Sequence, residues 1–386
     1  MPGSEAIVDL AAVAHNVRLL AGCTHAGLMA VVKADAFGHG VVPVARTALA
    51  HGAQWLGVTS CAEALALRAA GIGAPLLSWL HAPDEDFEPV ISAGVDLSVS
   101  SPEYLDAIAL AARRLAVPAA VHLKVDTGMS RNGASPADWP ELLRWAGKWE
   151  REGCIEVRAV WSHLAYADHP DHPSVANQIG GFVEAVRIAR GAGLDPALLH
   201  LANSAATLAV PAAHFDLVRL GIAIYGVEPV AARSYGLRPA LTLRAPVVMV
   251  RRVPAGTGVS YHHDHITAQE TTLALVPLGY ADGVPRSVVG RAQVLLGGVR
   301  CPIVGQVAMD QFVVDASAVD ARGGTVRIGD EVVLFGAGSG GGGPTAAPTV
   351  AEWAQWAGTN PHEILTGIGA RVRRRYINDA WTGDHD

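Results

Sequence analysis

Short apolar segments alternate with helical segments along the first two thirds of the chain, and this alternation constrains the fold more than any other feature. Alanine-rich stretches with helical periodicity, such as residues 61–70, 102–115 and 175–191, separate the apolar segments. The apolar segments with strand character span residues 28–33, 55–60, 75–79, 96–100, 119–125, 155–162, 198–202 and 217–223. Strands that alternate with helices form parallel β/α units, and eight such units predict an α/β fold, a closed (β/α)8 barrel.

The pattern changes near residue 238, where strands joined by turns replace the β/α units. The strand-like segments that follow span residues 241–253, 272–277, 293–296, 304–307 and 331–335. No long amphipathic helix separates them, so we expect a mostly-β C-terminal domain at residues 236–386 after a barrel at residues 11–235. The N-terminal segment 1–10 contains a predicted strand that we expect to join the β domain or the hinge.

Several polar residues fall at or just after the ends of predicted barrel strands, where a β/α barrel places its active site. They are Lys33, Arg131, His163, Ser204 and Arg219. Lys33 is one of only three lysines in the chain. Its amine can lose a proton and form an imine with an aldehyde, which a guanidinium cannot do. The structural alternative is a lysine that extends from a strand end to water.

The lysine motif, VVKADAFGHG, resembles that of the alanine racemases. The resemblance continues in order through residues 125–131, 200–204, 219–226, 258–261, 279–283 and 307–311. It therefore covers nearly the whole chain. The family implies an enzyme that depends on pyridoxal 5′-phosphate (PLP) and interconverts L- and D-alanine, a precursor of the bacterial cell wall.

The resemblance assigns the proton-transfer roles to two residues. Lys33 would hold the cofactor between turnovers and act as the base for the D-isomer, and Tyr261 would act on the opposite face. A phenol has a reference pKa of about 10, so Tyr261 needs help to ionise. His163 is the family's partner for this tyrosine. Taken alone, Tyr261 and His163 would be ordinary half-buried residues.

The resemblance also implies a set of cofactor contacts. Arg219 would meet the pyridine nitrogen, and because a guanidinium only donates, the nitrogen would have to accept. Ser204, Gly221 and Ile222 match the phosphate site, and Asn203 belongs to the same motif. The family places tyrosines at two further positions that here read Phe37 and His362. Both departures remove a phenol, and we expect them to weaken cofactor retention or alter the pocket.

The remaining family roles concern the substrate carboxylate and a second subunit. Arg131 matches the arginine that orients the cofactor's phenolic oxygen and the carboxylate, and Lys124 matches a lysine that is often carbamylated. Met309, with Tyr280 and Asp310, would line the substrate entrance. In the family these β-domain residues and Tyr261 come from the partner subunit, so a homodimer with shared active sites is implied.

Composition excludes several other classes of protein. The net charge of −7 opposes nonspecific binding to nucleic acid, and we interpret the basic run at residues 371–375 as a solvated face. No apolar run approaches the roughly 20 residues that span a bilayer, and the N-terminus lacks signal-peptide features, so we expect a soluble cytoplasmic protein. The glycine-rich run at residues 336–343 lacks the lysine of a phosphate loop and is expected to be a flexible surface loop.

No metal site is expected. The four cysteines are widely separated, and the histidine clusters at residues 169–172 and 262–265 lack the spacing of metal ligands. Three alternatives to an alanine racemase stay open. They are a racemase of the same fold that prefers serine or another polar amino acid, a barrel-type PLP decarboxylase, and a PLP carrier without catalysis. The sequence also leaves open whether the enzyme would serve cell-wall supply or a specialised pathway.

Overall fold

The computed structural model describes residues 3–82, 84–230, 232–337 and 346–378. From residue 338 onward, the predicted flexible loop at residues 336–343 lies outside the described residues. The described chain begins with strand β1 (Glu5–Asp9) and helix α1 (Leu10–Ala21). The Asp9 carboxylate accepts hydrogen bonds from the first free N–H groups of α1, which fixes the start of this helix.

A sheet of eight parallel strands in the described chain forms a nearly closed barrel. Its strands are β2 (Gly27–Val31), β3 (Trp55–Val58), β4 (Leu76–Ser78), β5 (Asp96–Val99), β6 (Ala119–Lys124), β7 (Ile155–Trp161), β8 (Leu198–His200) and β9 (Leu217–Leu220). Their order is β8-β7-β6-β5-β4-β3-β2-β9. The seam between β8 and β9 is bridged by backbone hydrogen bonds from Asp216 to Leu199 (3.0 Å) and from Arg219 to Ala202 (2.9 Å). The predicted barrel is therefore confirmed.

Helical segments connect the barrel strands, and all but the first, which is a left-handed turn at the pocket, are right-handed helices. They are α2 (Lys33–Gly38), α3 (Val41–Ala50), α4 (Cys61–Ala69), α5 (Glu88–Ser92), α6 (Pro102–Leu115), α7 (Trp139–Arg151), α8 (Pro173–Gly191) and α9 (Ser204–Ala209). Helix α6 illustrates why these segments pack on the sheet. Its apolar residues Leu105, Ile108 and Ala112 recur at helical spacing, and all three are buried. Within the described residues, no helix has both the length and the apolar character needed to cross a membrane.

In the rest of the described chain, most of the regular secondary structure is strand. Its strands are β10 (Leu241–Pro246), β11 (Met249–Val253), β12 (Gly258–Val259), β13 (His265–Ile266), β14 (Thr271–Val276), β15 (Gln293–Leu296), β16 (Val299–Val304), β17 (Phe312–Asp315), β18 (Glu331–Phe335) and β19 (Arg373–Ile377). Short helices α10 (Ser317–Asp320), α11 (Val350–Ala357) and α12 (Pro361–Thr366) interrupt them. The predicted C-terminal β domain is confirmed as a fold class.

Two strand predictions in this domain were wrong in detail. The segment predicted at residues 241–253 is two strands, because the backbone at Val247 and Val248 bonds to two different neighbours, Asp330 and Leu275. The strand predicted at residues 304–307 is also wrong in its bounds, because the observed strand β16 ends at Val304. Gly305 has a φ of +66°, which breaks the extended conformation after β16.

Strand β1 joins the sheet of the β domain, between β10 and β19. Its Glu5 carboxylate pairs with Arg244 of β10 and with Arg373 and Arg375 of β19. The basic run at residues 371–375 is therefore more than the solvated face that the sequence predicted: Arg371 and Arg373 are exposed, but Arg373 and Arg375 also pair with Glu5. We retain residues 11–235 and 236–386 as a proposed division into domains, with residues 1–10 assigned to the second.

Candidate active site

Lys33 follows strand β2 and opens an unusual turn. The next four residues, 34–37, all have left-handed backbone angles, with φ between 51° and 54°. Such a conformation costs about 1–2 kcal/mol per residue, so other contacts must stabilise it. Glu63 accepts a hydrogen bond from the first N–H of the turn (2.7 Å), and Asp35 accepts one from Val41 (2.8 Å). These contacts fix the backbone that carries the lysine.

The Lys33 amine lies in a pocket that favours its neutral form. Its pKa is lowered by burial and by the positive charge of Arg131, although Glu63 opposes the shift. The ammonium lies 5.9 Å from the centre of the Trp79 ring. A neutral amine is the nucleophilic form of lysine. The position and environment of Lys33 are therefore consistent with the role predicted for it.

Lys124, at the end of β6, is the second amine in this pocket. It is buried, and its pKa is lowered to about 7 by burial, then by the charges of Arg219 and Arg131. Its ammonium lies 4.2 Å from the centre of the Trp161 ring. The Trp161 and Trp79 rings are 6.2 Å apart, which links the surroundings of both lysines in one pocket.

Arg219 is buried in the barrel and is held on several sides. The two hydrogens of its Nη2 are shared among three acceptors, the carbonyls of Ser162 (2.8 Å) and Leu201 (3.1 Å) and Nδ1 of His163 (3.1 Å). Its Nη1 donates to Nδ1 of His200 (3.1 Å). Burial lowers the pKa of Arg219 to about 9, which still leaves the guanidinium charged at neutral pH.

A chain of buried polar groups continues from Arg219 through the barrel. His200 Nε2 lies 3.0 Å from His122 Nδ1, and His122 Nε2 lies 3.0 Å from a carboxylate oxygen of Asp96. Because Arg219 donates to His200, each histidine must carry its proton on Nε2 and donate onward. Arg158 pairs with Asp96 at the far end. His200 lies in one of the sequence motifs, but its place in this network could not be predicted from the sequence.

The predicted phosphate residues meet beside the left-handed turn. Ser204 Oγ accepts hydrogen bonds from the backbone N–H groups of Gly221 (2.9 Å) and Ala223 (3.4 Å). Asn203 caps α9 through its side chain, which accepts from Ala206 N (3.0 Å). A Cβ atom at Gly221 would lie 3.3 Å from Cζ of Phe37, so a glycine keeps this backbone open. The Ser204 hydroxyl accepts from these two N–H groups and still has its own proton to donate, and such a donor suits a phosphate.

The predicted β-domain residues are exposed in the single chain. Tyr261, Tyr280 and Met309 are 65%, 43% and 52% exposed. The turns that carry Tyr280 and Met309 pack together through backbone hydrogen bonds, including Ala281 N to Met309 O (3.0 Å). Arg371 links the same turns because it pairs with Asp282 and with Asp310. This role of Arg371 could not be predicted from the sequence, since neither of its partners is near it in the chain.

The two histidine clusters occupy exposed turns. His262 follows Tyr261 with a φ of +63°, and His172 caps α8 by accepting from Ser174 N (3.2 Å). In the part of the chain that the structure describes, no group of three or more His, Cys, Asp or Glu side chains is placed to share a metal ion.

Comparison with known proteins identifies the family. The profile described as "Alanine racemase, N-terminal domain" matches residues 8–229, and that described as "Alanine racemase, C-terminal domain" matches residues 240–376. The alanine racemase of Frankia casuarinae is 53% identical over 379 residues, which cover 97% of this chain and 96% of that protein. This chain belongs to the alanine racemase family.

Solved structures agree with this assignment. The alanine racemase from Streptomyces coelicolor A3(2) superimposes with a TM-score of 0.92 at 47% identity, over 97% of this chain and 98% of that chain. The alanine racemase from Bartonella henselae with covalently bound pyridoxal phosphate has a TM-score of 0.86 at 29% identity, over 98% and 100% of the two chains. Membership confirms the class of enzyme that the motifs predicted, an amino-acid racemase.

Within the alanine racemase family, the two departures from the expected tyrosines lie next to each other. The rings of Phe37 and His362 are 5.7 Å apart, and Phe37 also packs against Tyr225 (4.7 Å). The pKa of His362 is lowered by burial and by the positive charge of Lys33. Both replacements therefore lie close to the amine and to the phosphate donors.

Proposed function

We propose that the chain is a PLP-dependent racemase that interconverts L- and D-alanine with two bases on opposite faces of the substrate. The observation that carries this proposal is that Lys33 and Arg219 face the same barrel pocket, where the charges of both lower the pKa of Lys124 and of His163. The first is an amine whose pKa is lowered, and the second is a buried donor that cannot accept a proton. Family membership supports the choice of alanine as the substrate.

The pocket suits PLP in its charge and its donors. Besides burial, the positive charges of Arg219, Arg131 and Lys33 lower the pKa of Lys124, and the same three together with Lys124 lower that of His163, so the pocket would accept an anionic cofactor. Residues Asn203, Ser204, Gly221 and Ile222 would hold the phosphate, with Phe37 and His362 beside them. When bound, PLP supplies an electron sink for the charge left on the α-carbon.

Arg219 would donate to the pyridine nitrogen and keep it unprotonated. With a guanidinium as its partner, the ring would be a weaker electron sink, and this would favour return of the proton to the α-carbon over protonation at another atom. The same guanidinium donates to Nδ1 of His163, which leaves the proton of that ring on Nε2. His163 can therefore donate a hydrogen bond to the oxygen of a tyrosine and stabilise its anion.

Tyr261 would be the base for L-alanine and Lys33 the base for D-alanine. Tyr261 is 65% exposed on the β domain of its own chain, so we propose that it enters the pocket of a second copy. Tyr280, Met309 and Asp310 would accompany it and, with Arg131, hold the substrate carboxylate. The active enzyme would then be a homodimer in which each site uses both subunits.

Lys124 would be carbamylated. With a pKa of about 7, much of its amine is neutral at physiological pH and can attack CO₂. The nitrogen forms a bond to the carbon of CO₂, the electron pair of one C=O bond moves to its oxygen, and a nitrogen proton passes to solvent, so the product is an anionic carbamate. Such an anion would pair with Arg131, whose positive charge already lowers the pKa of this lysine.

The decisive experiment measures the chirality of the product from L-alanine with added PLP, followed by the same assay on L-serine. Racemic alanine is expected. Release of CO₂ would instead identify a decarboxylase, and faster turnover of serine would identify the alternative racemase, which the Phe37 and His362 positions favour.

Reduction with borohydride should fix the cofactor covalently on Lys33. Lys33→Ala should abolish this labelling, while Lys148→Ala should not. Lys148 is the matched control because it stacks on Trp145 and Trp149 of α7.

A further inference from the structure

We infer that Gln178 is a positioning residue for the reaction, because its amide holds the backbone of the loop that carries His163. Gln178 lies on α8 and is only 2% exposed. The inference rests on the role proposed above for His163 and Tyr261. Gln178 itself is not part of the expected cofactor or substrate set.

Both ends of the Gln178 amide bind the loop that follows β7. Its Nε2 donates to the carbonyl of His163 (3.1 Å), and its Oε1 accepts from the N–H of Ala165 (2.9 Å). A carbonyl only accepts and a backbone N–H only donates, so these partners dictate which way the amide faces. Two opposite hydrogen bonds from one planar group fix both the position and the direction of the His163 peptide.

The same amide reaches the neighbouring loop, which leads to Arg131. Gln178 Nε2 lies 3.4 Å from Thr127 Oγ1, a long contact, and Thr127 Oγ1 lies 2.9 Å from Ser162 Oγ. The carbonyl of Ser162 in turn accepts from Arg219 (2.8 Å). Gln178 therefore braces the loops after β6 and β7 at the point where both turn toward the pocket.

A glutamine satisfies these contacts in a way that similar side chains do not. A buried glutamate in its ionised form would present an acceptor to the His163 carbonyl, and a methionine of similar length would leave both backbone groups unpaired. A glutamic acid that keeps its proton could still donate to that carbonyl. Burial favours the protonated form of a carboxyl group. Gln178→Glu should therefore behave like the parent at low pH and like Gln178→Met at high pH.

A displaced His163 would harm only one of the two proton transfers. His163 would donate to Tyr261 of the second subunit, whereas Lys33 lies on another strand. If the Tyr261 step becomes slower, abstraction from L-alanine limits the rate more, and abstraction from D-alanine limits it less. In Gln178→Met the substrate deuterium isotope effect should therefore rise for L-alanine and fall for D-alanine.

The experiment compares the PLP-loaded parent with Gln178→Met, Gln178→Glu and Trp139→Phe. Trp139 lies on α7, and its indole N–H donates to the carbonyl of Ala185 on α8, the helix that carries Gln178 (3.0 Å). Trp139→Phe is the matched control because it also removes a buried hydrogen bond to α8. We expect kcat/KM to fall roughly 10- to 100-fold in Gln178→Met, as misplacement by about an ångström can do. The ratio of Gln178→Glu to parent activity should rise as the pH falls. Trp139→Phe should keep the parent's isotope effects.

A second readout does not need a working racemase. In ¹⁵N NMR spectra of the apoprotein with labelled histidine, the ring signals of His163 should shift in Gln178→Met and stay unchanged in Trp139→Phe. Unchanged signals together with unchanged isotope effects would overturn the inference. A parent that does not racemise alanine, combined with a shifted His163 signal, would overturn the proposed function but retain Gln178 as the residue that positions His163.

Discussion

Arg219 donates a hydrogen bond of 3.1 Å from Nη2 to Nδ1 of His163, and this contact determines the protonation of the histidine. Burial lowers the pKa of His163 well below its usual range, and the positive charges of Arg219 and Arg131 lower it further. The ring should therefore be neutral, with its proton on Nε2, throughout the range from pH 5 to 8. ¹⁵N NMR of labelled histidine, with His163→Asn to assign the signals, would show this. A ring protonated on Nδ1 would contradict it.

Removal of the Arg219 charge should reverse part of this effect. In Arg219→Gln the pKa of His163 should rise, because one of the charges that oppose its protonation is absent. Burial would remain and still hold the pKa below that of a free histidine. The same NMR titration measures the change. An unaltered His163 titration would mean that the guanidinium does not control the ring.

Tyr261→Phe removes only the phenolic oxygen. If Tyr261 is a positioned acid or base, turnover should fall by roughly 10²- to 10⁴-fold while cofactor affinity stays the same. The rate of α-proton exchange should fall more with L-alanine as the substrate than with D-alanine as the substrate. Tyr166→Phe is the control, since Tyr166 is also an exposed tyrosine and stacks on His172. Equal loss of exchange from both isomers would indicate a packing role instead.

Much of the fold could be predicted because its signals are local. Each barrel strand is a short apolar run between helical stretches, and the residues expected near the pocket lie within those runs or just after them. Lys33, Lys124, His163 and Arg219 accordingly share one pocket or contact one another. The order of the strands then follows from the chain, since β/α units place successive strands side by side.

The features that sequence analysis missed depend on distant partners. The basic run at residues 371–375 looked solvated because its acidic partner, Glu5, lies at the other end of the chain. Nothing in Ala-Asp-Ala-Phe signals a left-handed turn, which needs Glu63 to stabilise its first N–H. Gln178 is an ordinary helix residue in the sequence, and only the packing of α8 shows that its amide faces two loops.

Glu5 should stabilise the fold through its three arginines, and it should do so in a defined pH range. Burial alone would raise its pKa, but hydrogen bonds from Arg373, Arg375 and Arg244 lower it from 4.5 to about 2. A lowered carboxyl pKa stabilises the folded state above the unfolded pKa, and this stability is lost as the pH falls through the folded pKa. The contribution of Glu5 should therefore be full above about pH 5 and should disappear near pH 2.

Urea unfolding of Glu5→Gln checks this expectation. At pH 7 the variant should lose on the order of 1–2 kcal/mol, a value discounted because the arginines are partly exposed. The difference from the parent should shrink as the pH falls from 4 to 2. Glu270→Gln is the control, since Glu270 and its partner Arg252 are both exposed and their pair should contribute little. A constant difference at every pH would show that charge is not the cause.

The Phe37 and His362 positions should set cofactor affinity and substrate preference. Cζ of Phe37 is the ring atom nearest to Gly221, at 3.3 Å from where a Cβ would lie there. A tyrosine hydroxyl is attached at Cζ, so Phe37→Tyr would add a donor beside the phosphate site. A neutral hydrogen bond contributes about 0.5–1.5 kcal/mol, so PLP should bind roughly two to ten times more tightly. Titration of the apoprotein with PLP measures this directly.

His362→Tyr should instead change the choice of substrate. Histidine is smaller than tyrosine and has a polar edge, so it leaves room for a side-chain hydroxyl beside Lys33, whose charge lowers the pKa of His362. Replacement by tyrosine should reduce kcat/KM for serine relative to alanine. The two rings are only 5.7 Å apart, so the double variant is needed to detect coupling. If the variants match the parent in PLP affinity and in the serine-to-alanine ratio, these two positions do not determine specificity.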